Sequence, residues 1–395
     1  MAYNAKRMLT RREMLKSSLT AGGVVLVGFH ETSLSAVLQE PGRDAFRGGR
    51  YLGLVEFVRE GPIPMGIPMG AGLDGRLYTD LSEVGRDKAT IPNDKFYLRT
   101  RASEFLRAGE PWEIKVTGLI KQPIKIGLPD LQKRSRPAGL HLLECSGNVR
   151  EAHFGMLSVA DWAGTRVSEI LDIVKVEKAA SHVLISGFDR YPDTSSSSLP
   201  GASWIFSVDE LKASNAFFAT AMNGSSLPKD HGFPIRLVVP GWYGCTCIKW
   251  VDEIQLLGED APTTSQMREF ASRTMQQGVP ERVRDYRPPL IEQAAMPVRV
   301  EKWIVDQKIN YRVHGIAWGG ARPVSGLWIR FNSEEAYVPV DSFIQTGNDP
   351  WSFWVHAWAP TKPGTYFIQL RVKDAVPARR LNAGFYVRSV EVADV

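Results

Sequence analysis

The run Gly139-Leu140-His141-Leu142-Leu143-Glu144-Cys145-Ser146-Gly147-Asn148 reads as a short strand that stops at a cysteine and a glycine turn. Glycine after a strand end lets backbone come close to a bound group. Arg150 follows five residues after the cysteine, and a guanidinium there would favour a thiolate and attract an anion. Two readings of Cys145 stay open on spacing alone. One is an inert buried hydrophobe. The other is a thiolate, either nucleophile or soft-metal ligand. A thiol protease needs a partner histidine. Seven His allow one by count, but no local thiol-protease signature accompanies this cysteine.

Two further stretches carry chemistry. In Lys229-Asp230-His231-Gly232-Phe233-Pro234-Ile235-Arg236, His231 and Arg236 flank a turn entering a strand. Asp230 could orient His231 by accepting its ring N–H, and the His–Arg pair would suit a phosphate. A histidine capping a surface turn is the alternative. Gly241-Trp242-Tyr243-Gly244-Cys245-Thr246-Cys247-Ile248-Lys249-Trp250 is a glycine-bounded loop feeding a strand. Its backbone N–H groups could hold phosphate or pterin oxygens, with Lys249 adding charge. Cys245 and Cys247 would face the same way. A disulfide between them is geometrically awkward, and a soft-metal pair is the weaker alternative.

Working outward, the pattern predicts strands at Phe96–Arg101, Trp112–Leu119, Val183–Gly187, Ala216–Met222, Pro234–Pro240 and Ile248–Leu256. Helical spacing marks Val167–Val174, and a helix start lies at Asp209–Asn215. Residues 37–90 are rich in Gly and Pro and read as an irregular wrap. Residues 270–295 turn polar and charged and read as a linker. Beyond it, short strands recur at Val298–Val305, Tyr311–Ala317, Leu327–Phe331, Trp351–Ala357, Thr365–Val372 and Phe385–Val392, the spacing of a β-sandwich. Ser195–Ser198 reads as a solvated loop.

A length of 395 residues fits two domains, and 44% hydrophobic residues with 11 Trp can fill large cores. Three Cys build no disulfide framework, and the sequence has no C-x-x-C-H haem signature. No apolar run is long enough for a spanning helix. The net charge of +5 is concentrated at the N-terminus. Without residues 1–36 the chain carries 43 basic against 41 acidic side chains, too even for a nucleic-acid binder. That N-terminus has Arg11-Arg12, an apolar stretch Leu19–Phe29 and small residues Ser33, Ser35 and Ala36. It reads as a twin-arginine export signal, which predicts a periplasmic or otherwise exported protein.

Taken in order, these motifs resemble the sulfite oxidase family of molybdenum–pterin oxidoreductases. Phe96-Tyr97-Leu98-Arg99-Thr100 is similar to the family's pterin-contacting Phe-Phe-x-Arg-Asn segment. Trp112 to Leu131 is similar to its next conserved stretch. Glu144-Cys145-Ser146-Gly147-Asn148 resembles the Cys-Ala/Ser-Gly-Asn motif that carries the metal-ligating thiolate. Trp162-Ala163-Gly164 resembles the Trp-x-Gly that follows. Met222-Asn223-Gly224 through Arg236, then Pro240-Gly241 to Trp250, resemble the Met-Asn-Gly…Asp-His-Gly-Phe-Pro-x-Arg…Lys-Trp block. Gly315-Ile316-Ala317-Trp318-Gly319-Gly320 looks like part of the family's immunoglobulin-like dimerisation domain.

The resemblance implies an α+β fold. A mixed α/β molybdopterin-binding domain would occupy 91–280 and an immunoglobulin-like β-sandwich 290–395, behind the signal at 1–36 and the wrap at 37–90. It implies that Cys145 ligates molybdenum. Phe96, Tyr97, Leu98, Arg99, Thr100, Asp189, His231, Arg236, Cys247, Ile248 and Lys249 would hold the pterin. Arg99, Arg150 and Trp162 would form an anion pocket. The implied activity is two-electron oxygen-atom transfer on a small sulfur oxyanion such as sulfite. Electrons would leave to an external acceptor, a c-type cytochrome, with no haem in this chain and a homodimer through the C-terminal domain. A reductase acting on a sulfoxide or nitrate, and a metal-free exported binding protein on the same fold, are the rival readings. The sequence also departs from the family. Ser195 stands where animal and plant members have Tyr, leaving Tyr191 or Tyr243 as substitutes. Val149 replaces the first Arg of Asn-Arg-Arg, and Asn332-Ser333-Glu334-Glu335 replaces the Asp-Gly-Gly hairpin.

Overall fold

The computed structural model describes residues 46–106, 111–191, 200–345, 350–374, 376–393 and 395. The segment expected to be an export signal and Ser195 lie outside them. Two sheets build the part that carries the motifs. One is antiparallel, in the order Arg136–Glu144, Leu157–Arg166, Phe217–Met222 and Arg236–Val238, with Ser225–Ser226 pairing beside Phe217–Met222. The other runs Ile124–Gly127, Glu113–Gly118, Val251–Leu257, His182–Gly187 and Ser203–Ser207. Within it Val251–Leu257 lies parallel to Glu113–Gly118 and antiparallel to His182–Gly187.

Local sequence explains the elements around them. Helix Val167–Val174 buries Val167, Ile170, Leu171 and Val174 on one stripe, the i, i+3, i+4, i+7 pattern of an amphipathic helix. Ser207 accepts from the Glu210 N–H while the Glu210 carboxylate accepts from the Ser207 N–H. This capping box fixes the start of helix Val208–Ala213.

The C-terminal part is a pair of sheets. The first has the order Arg50–Val55, Ala294–Val305, Lys308–Trp318, Trp351–Trp358 and Ser342–Ile344. The second has Val338–Pro339, Leu327–Arg330, Gly364–Val372 and Arg388–Val392. Val300, Val313, Ile316 and Trp354 from the first share a core with Ile329, Ile368 and Val390 from the second.

Several expectations need correction. The fold is sheet-rich, and among the described residues the longest α-helix is Val167–Val174, of 8 residues. Phe96–Arg101 is not a strand. Phe96, Tyr97 and Leu98 are all buried, so the segment does not alternate faces; its one ladder contact is the Leu77–Leu98 bridge. Pro234–Pro240 shrinks to Arg236–Val238 because prolines bound it and cannot donate to a ladder. The next strand begins at Val251 rather than Ile248, since Trp250 has φ 53°, outside extended geometry. The stretch 37–90 is not wholly irregular: Arg50–Val55 pairs with Ala294–Val305. Residues 270–295 are more than a loose linker, because Ala271, Val283, Tyr286 and Ile291 are buried. The last strand starts at Arg388, after the short helix Arg379–Asn382.

Gly118 ends its strand at φ 86°, and a Cβ there would sit 2.2 Å from the Leu256 carbonyl oxygen. Left-handed backbone and overpacking both oppose a side chain, so Gly118→Ala should cost about 2 kcal/mol or more. A lowered urea midpoint with an unchanged m-value is the expected result.

Candidate molybdopterin site

One cavity gathers most of the residues singled out above. Phe96, Tyr97, Leu98, Arg99, Thr100, Cys145, Asp189, His231, Arg236, Cys247, Ile248 and Lys249 all line it. They arrive from five chain segments held by the two sheets. Cys145 sits just past the end of strand Arg136–Glu144. Its N–H donates to the Met156 carbonyl at 3.0 Å, and the Asn148 N–H donates to the Cys145 carbonyl at 2.9 Å. A Cβ at Gly147 would lie 3.8 Å from Cys145 Sγ and 3.8 Å from Arg273 Nη1, which places that guanidinium on the cysteine side of the turn.

The Arg236 guanidinium is buried and donates to the carbonyls of His231 at 3.1 Å and Cys247 at 3.3 Å. Its Nε has no hydrogen-bond partner among the described residues. His231 Nε2 donates to the Asn93 carbonyl at 2.8 Å, which fixes the tautomer and leaves Nδ1 as an acceptor. Burial, helped by the Arg236 and Lys249 charges, pushes the His231 pKa down to about 3, so the ring is neutral. Asp230 does not orient it: the Asp230 carboxylate accepts instead from Arg101 Nε at 3.2 Å and the Ala102 N–H at 2.8 Å. Lys249 Nζ donates to the Thr100 carbonyl at 2.6 Å and the Asp230 carbonyl at 2.9 Å. Burial and the Arg236 charge bring its pKa down to about 7. Burial raises that of Asp189 to about 6, against the pull of the Ala202 N–H and Lys249. Burial also raises the Cys145 thiol pKa, opposed by Arg99, the Gly147 N–H and Arg273.

Two expected residues stand apart. Trp162 is 1% exposed and does not line the cavity. Its ring meets Phe96 edge-on at 5.9 Å and underlies the Arg236 guanidinium at 5.4 Å, so it backs the site and offers no surface to an anion. Arg150 opens the turn Arg150–Ala152 outside the cavity, where its charge bears on Arg388. Neither Tyr191 nor Tyr243 lines the cavity. Cys245 and Cys247 are free thiols; Cys247 Sγ accepts from the Val239 N–H at 3.4 Å. Gln266, Glu269 and Phe270 complete the wall. They belong to helix Ser265–Phe270, whose start Thr264 caps by accepting from the Met267 N–H. That cap and the Met267–Phe270 spacing were the available signal, just before the stretch read as linker.

The donor set fits a metal–pterin group. Cys145 offers one soft sulfur. Among the described residues no cluster of three His, Cys, Asp or Glu could hold a metal, so the other donors would come from outside the protein. Arg236 and Lys249 supply oriented N–H groups for an anionic ligand.

The comparisons name the class. The oxidoreductase molybdopterin binding domain matches residues 103–265. The chain is 28% identical over 194 residues to a sulfite oxidase of Arabidopsis thaliana, covering 43% of this chain and 48% of that protein. It is 28% identical over 207 residues to the mitochondrial sulfite oxidase of Rattus norvegicus, covering 48% of this chain and 37% of that protein. A nitrate reductase of Fusarium oxysporum is 25% identical over 257 residues, covering 57% of this chain and 27% of that protein. The chain thus spans about half or less of the length of these curated relatives. In fold it resembles the sulfane dehydrogenase SoxCD from Paracoccus pantotrophus, with a TM-score of 0.62 and 16% identity over 93% of this chain and 96% of that one. Residues 103–265 thus carry an oxidoreductase molybdopterin binding domain, and the chain is similar to the sulfite oxidases and nitrate reductases that share it.

Raising the pH from 5 to 8 ionises Asp189 near 6 and neutralises Lys249 near 7. Both changes remove positive charge from the cavity. Affinity of the full chain made without cofactor for sulfate, an anion of constant charge over that range, should therefore fall at least about tenfold. Calorimetry across the range would measure it, and Lys249→Met should remove the step near 7.

Proposed function

We propose that this chain oxidises a small sulfur oxyanion such as sulfite and passes the electrons to an external acceptor. The observation that carries this reading is a cysteine thiol opening into a cavity walled by Arg99, Arg236 and Lys249. When bound, the molybdenum–pterin group supplies two-electron oxygen-atom transfer. Cys145 provides the protein's ligand to it and loses its thiol proton on binding. Arg236 Nε and Lys249 Nζ hold the anionic arm of the pterin, and neutral His231 offers Nδ1 as an acceptor. Arg273, beside the Cys145 turn, draws the substrate anion towards the thiolate side.

The wider setting belongs to the same proposal. The Arg11-Arg12 segment directs export to the periplasm by the twin-arginine route. A c-type cytochrome takes the electrons, since the sequence carries no covalent haem motif. The C-terminal sheet pair is an immunoglobulin-like unit that makes a homodimer. A second reading, nitrate reduction, is favoured by the similarity to nitrate reductases.

Molybdenum content per chain and sulfite-dependent cytochrome c reduction test the proposal together. Near-stoichiometric metal with sulfite activity is expected, and Cys145→Ser should lower the activity at least about a thousandfold while the fold persists. Full activity in the variant would refute ligation by Cys145. Oxidation of a reduced dye by nitrate, without sulfite activity, would establish the second reading.

A further inference from the structure

Both residues flanking Cys145 are held by the C-terminal sheet pair. The Glu144 carboxylate is fully buried. It accepts from Trp318 Nε1 at 2.9 Å and from the Tyr386 hydroxyl at 3.2 Å. On the other side, Arg380 Nη2 donates to the Ser146 carbonyl at 2.9 Å and to the Arg273 carbonyl at 2.8 Å. Trp318 ends the strand Lys308–Trp318, Arg380 sits in helix Arg379–Asn382, and Tyr386 follows that helix. The three form one packed unit. The Trp318 and Tyr386 rings meet edge-on at 5.2 Å, Tyr386 also packs on Phe154 at 5.4 Å, and the Arg380 guanidinium covers Tyr243 at 4.9 Å and Phe385 at 5.3 Å.

We propose that Trp318, Tyr386 and Arg380 are positioning residues for the Cys145 thiolate, so that the C-terminal part completes the metal site it does not line. The inference rests on Cys145 being the ligand. The physical argument is local. Cys145 has only its own N–H and carbonyl to fix its backbone: the N–H bonds to the Met156 carbonyl, at the end of the ladder between Arg136–Glu144 and Leu157–Arg166, and the carbonyl accepts from Asn148 within the turn. A turn tied to the sheet on the Met156 side alone can still tilt about that edge. Anchoring a side chain on one flank and a carbonyl on the other removes that freedom. Buried hydrogen bonds to a carboxylate are among the stronger ones available.

The test compares Tyr386→Phe and Trp318→Phe with Trp354→Phe. Trp354 lies in the same sheet pair, is equally buried, and its Nε1 bonds to the Ile316 carbonyl and not to a flank of Cys145. Each full chain is made in a host without pterin synthesis. Iodoacetamide labelling of Cys145 is followed by peptide mass spectrometry, at an equal interval below each variant's Tm. Labelling of Cys145 should rise about tenfold in the first two variants, with Cys247 as an unchanged internal reference. In the cofactor-loaded chain the same two variants should shift the Mo(V) resonance at unchanged metal content, and Trp354→Phe should not. Unchanged Cys145 labelling in both variants, or an equal rise in Trp354→Phe, overturns the proposal. Absence of molybdenum from the loaded wild type would overturn the proposed function instead, leaving the labelling result to stand.

Discussion

A guanidinium taken out of water is the constraint around which this site is arranged. Arg236 is 6% exposed and, among the described residues, has no carboxylate as a hydrogen-bond partner; it donates to two carbonyls from separate loops and lies over the Trp162 face. Leaving such a charge without partners would cost several kcal/mol, so the His231 turn and the Cys247 loop are held at one separation. The same charge then reaches its neighbours. It helps keep His231 neutral and lowers Lys249 towards about 7. One buried cation thus sets both the shape of the cavity and the protonation of its walls.

A second buried charge closes the chain on itself. Arg388 donates from Nε to Glu60 at 2.8 Å and from Nη1 to the Pro297 carbonyl at 3.0 Å, with its second terminal nitrogen also on Glu60. Phe57 lies against its guanidinium, and the Val58 N–H donates to the Ser389 carbonyl at 2.8 Å. Replacing one partner would strand the other, which makes the pair a device for specifying one arrangement more than a source of net stability. It fixes the segment after Arg50–Val55 against the last strand. The sheet pair that reaches the Cys145 turn is therefore itself tied to the segment that follows Arg50–Val55.

The parts of the site legible in the sequence are those where chemistry demands one residue type at one spacing. Cys145 with Gly147, His231 with Arg236, and the Gly241–Lys249 loop converge on one cavity. Helix Val167–Val174 was legible because its apolar stripe has one period. What failed has a physical cause in each case. Phe96–Leu98 is an apolar run, which periodicity alone cannot assign. Trp162 carries the family's spacing but turns its ring beneath Phe96, a matter of packing and not of motif. Asp230 neighbours His231 in sequence, yet Arg101 and the Ala102 N–H, more than a hundred residues away, take its carboxylate. Helix Ser265–Phe270 was hidden in a charged stretch because its buried face is only Met267 and Phe270.

Arg236 and Lys249 share a further property. Each is oriented by the backbone before any ligand arrives, yet keeps donors in reserve. Lys249 has three N–H bonds and directs two at the Thr100 and Asp230 carbonyls. Arg236 directs Nη1 and Nη2 at carbonyls while Nε stays without a partner. Neither must give up a carboxylate to receive an anion, so binding breaks no existing ion pair. Donors fixed in advance lose little freedom when the ligand docks. Under the proposed function these two cations would take the anionic arm of the pterin whichever oxyanion reacts. On that reading, selection between sulfur and nitrogen oxyanions would fall to the Cys145 side, where Arg273 stands next to the turn that the C-terminal part holds through Arg380.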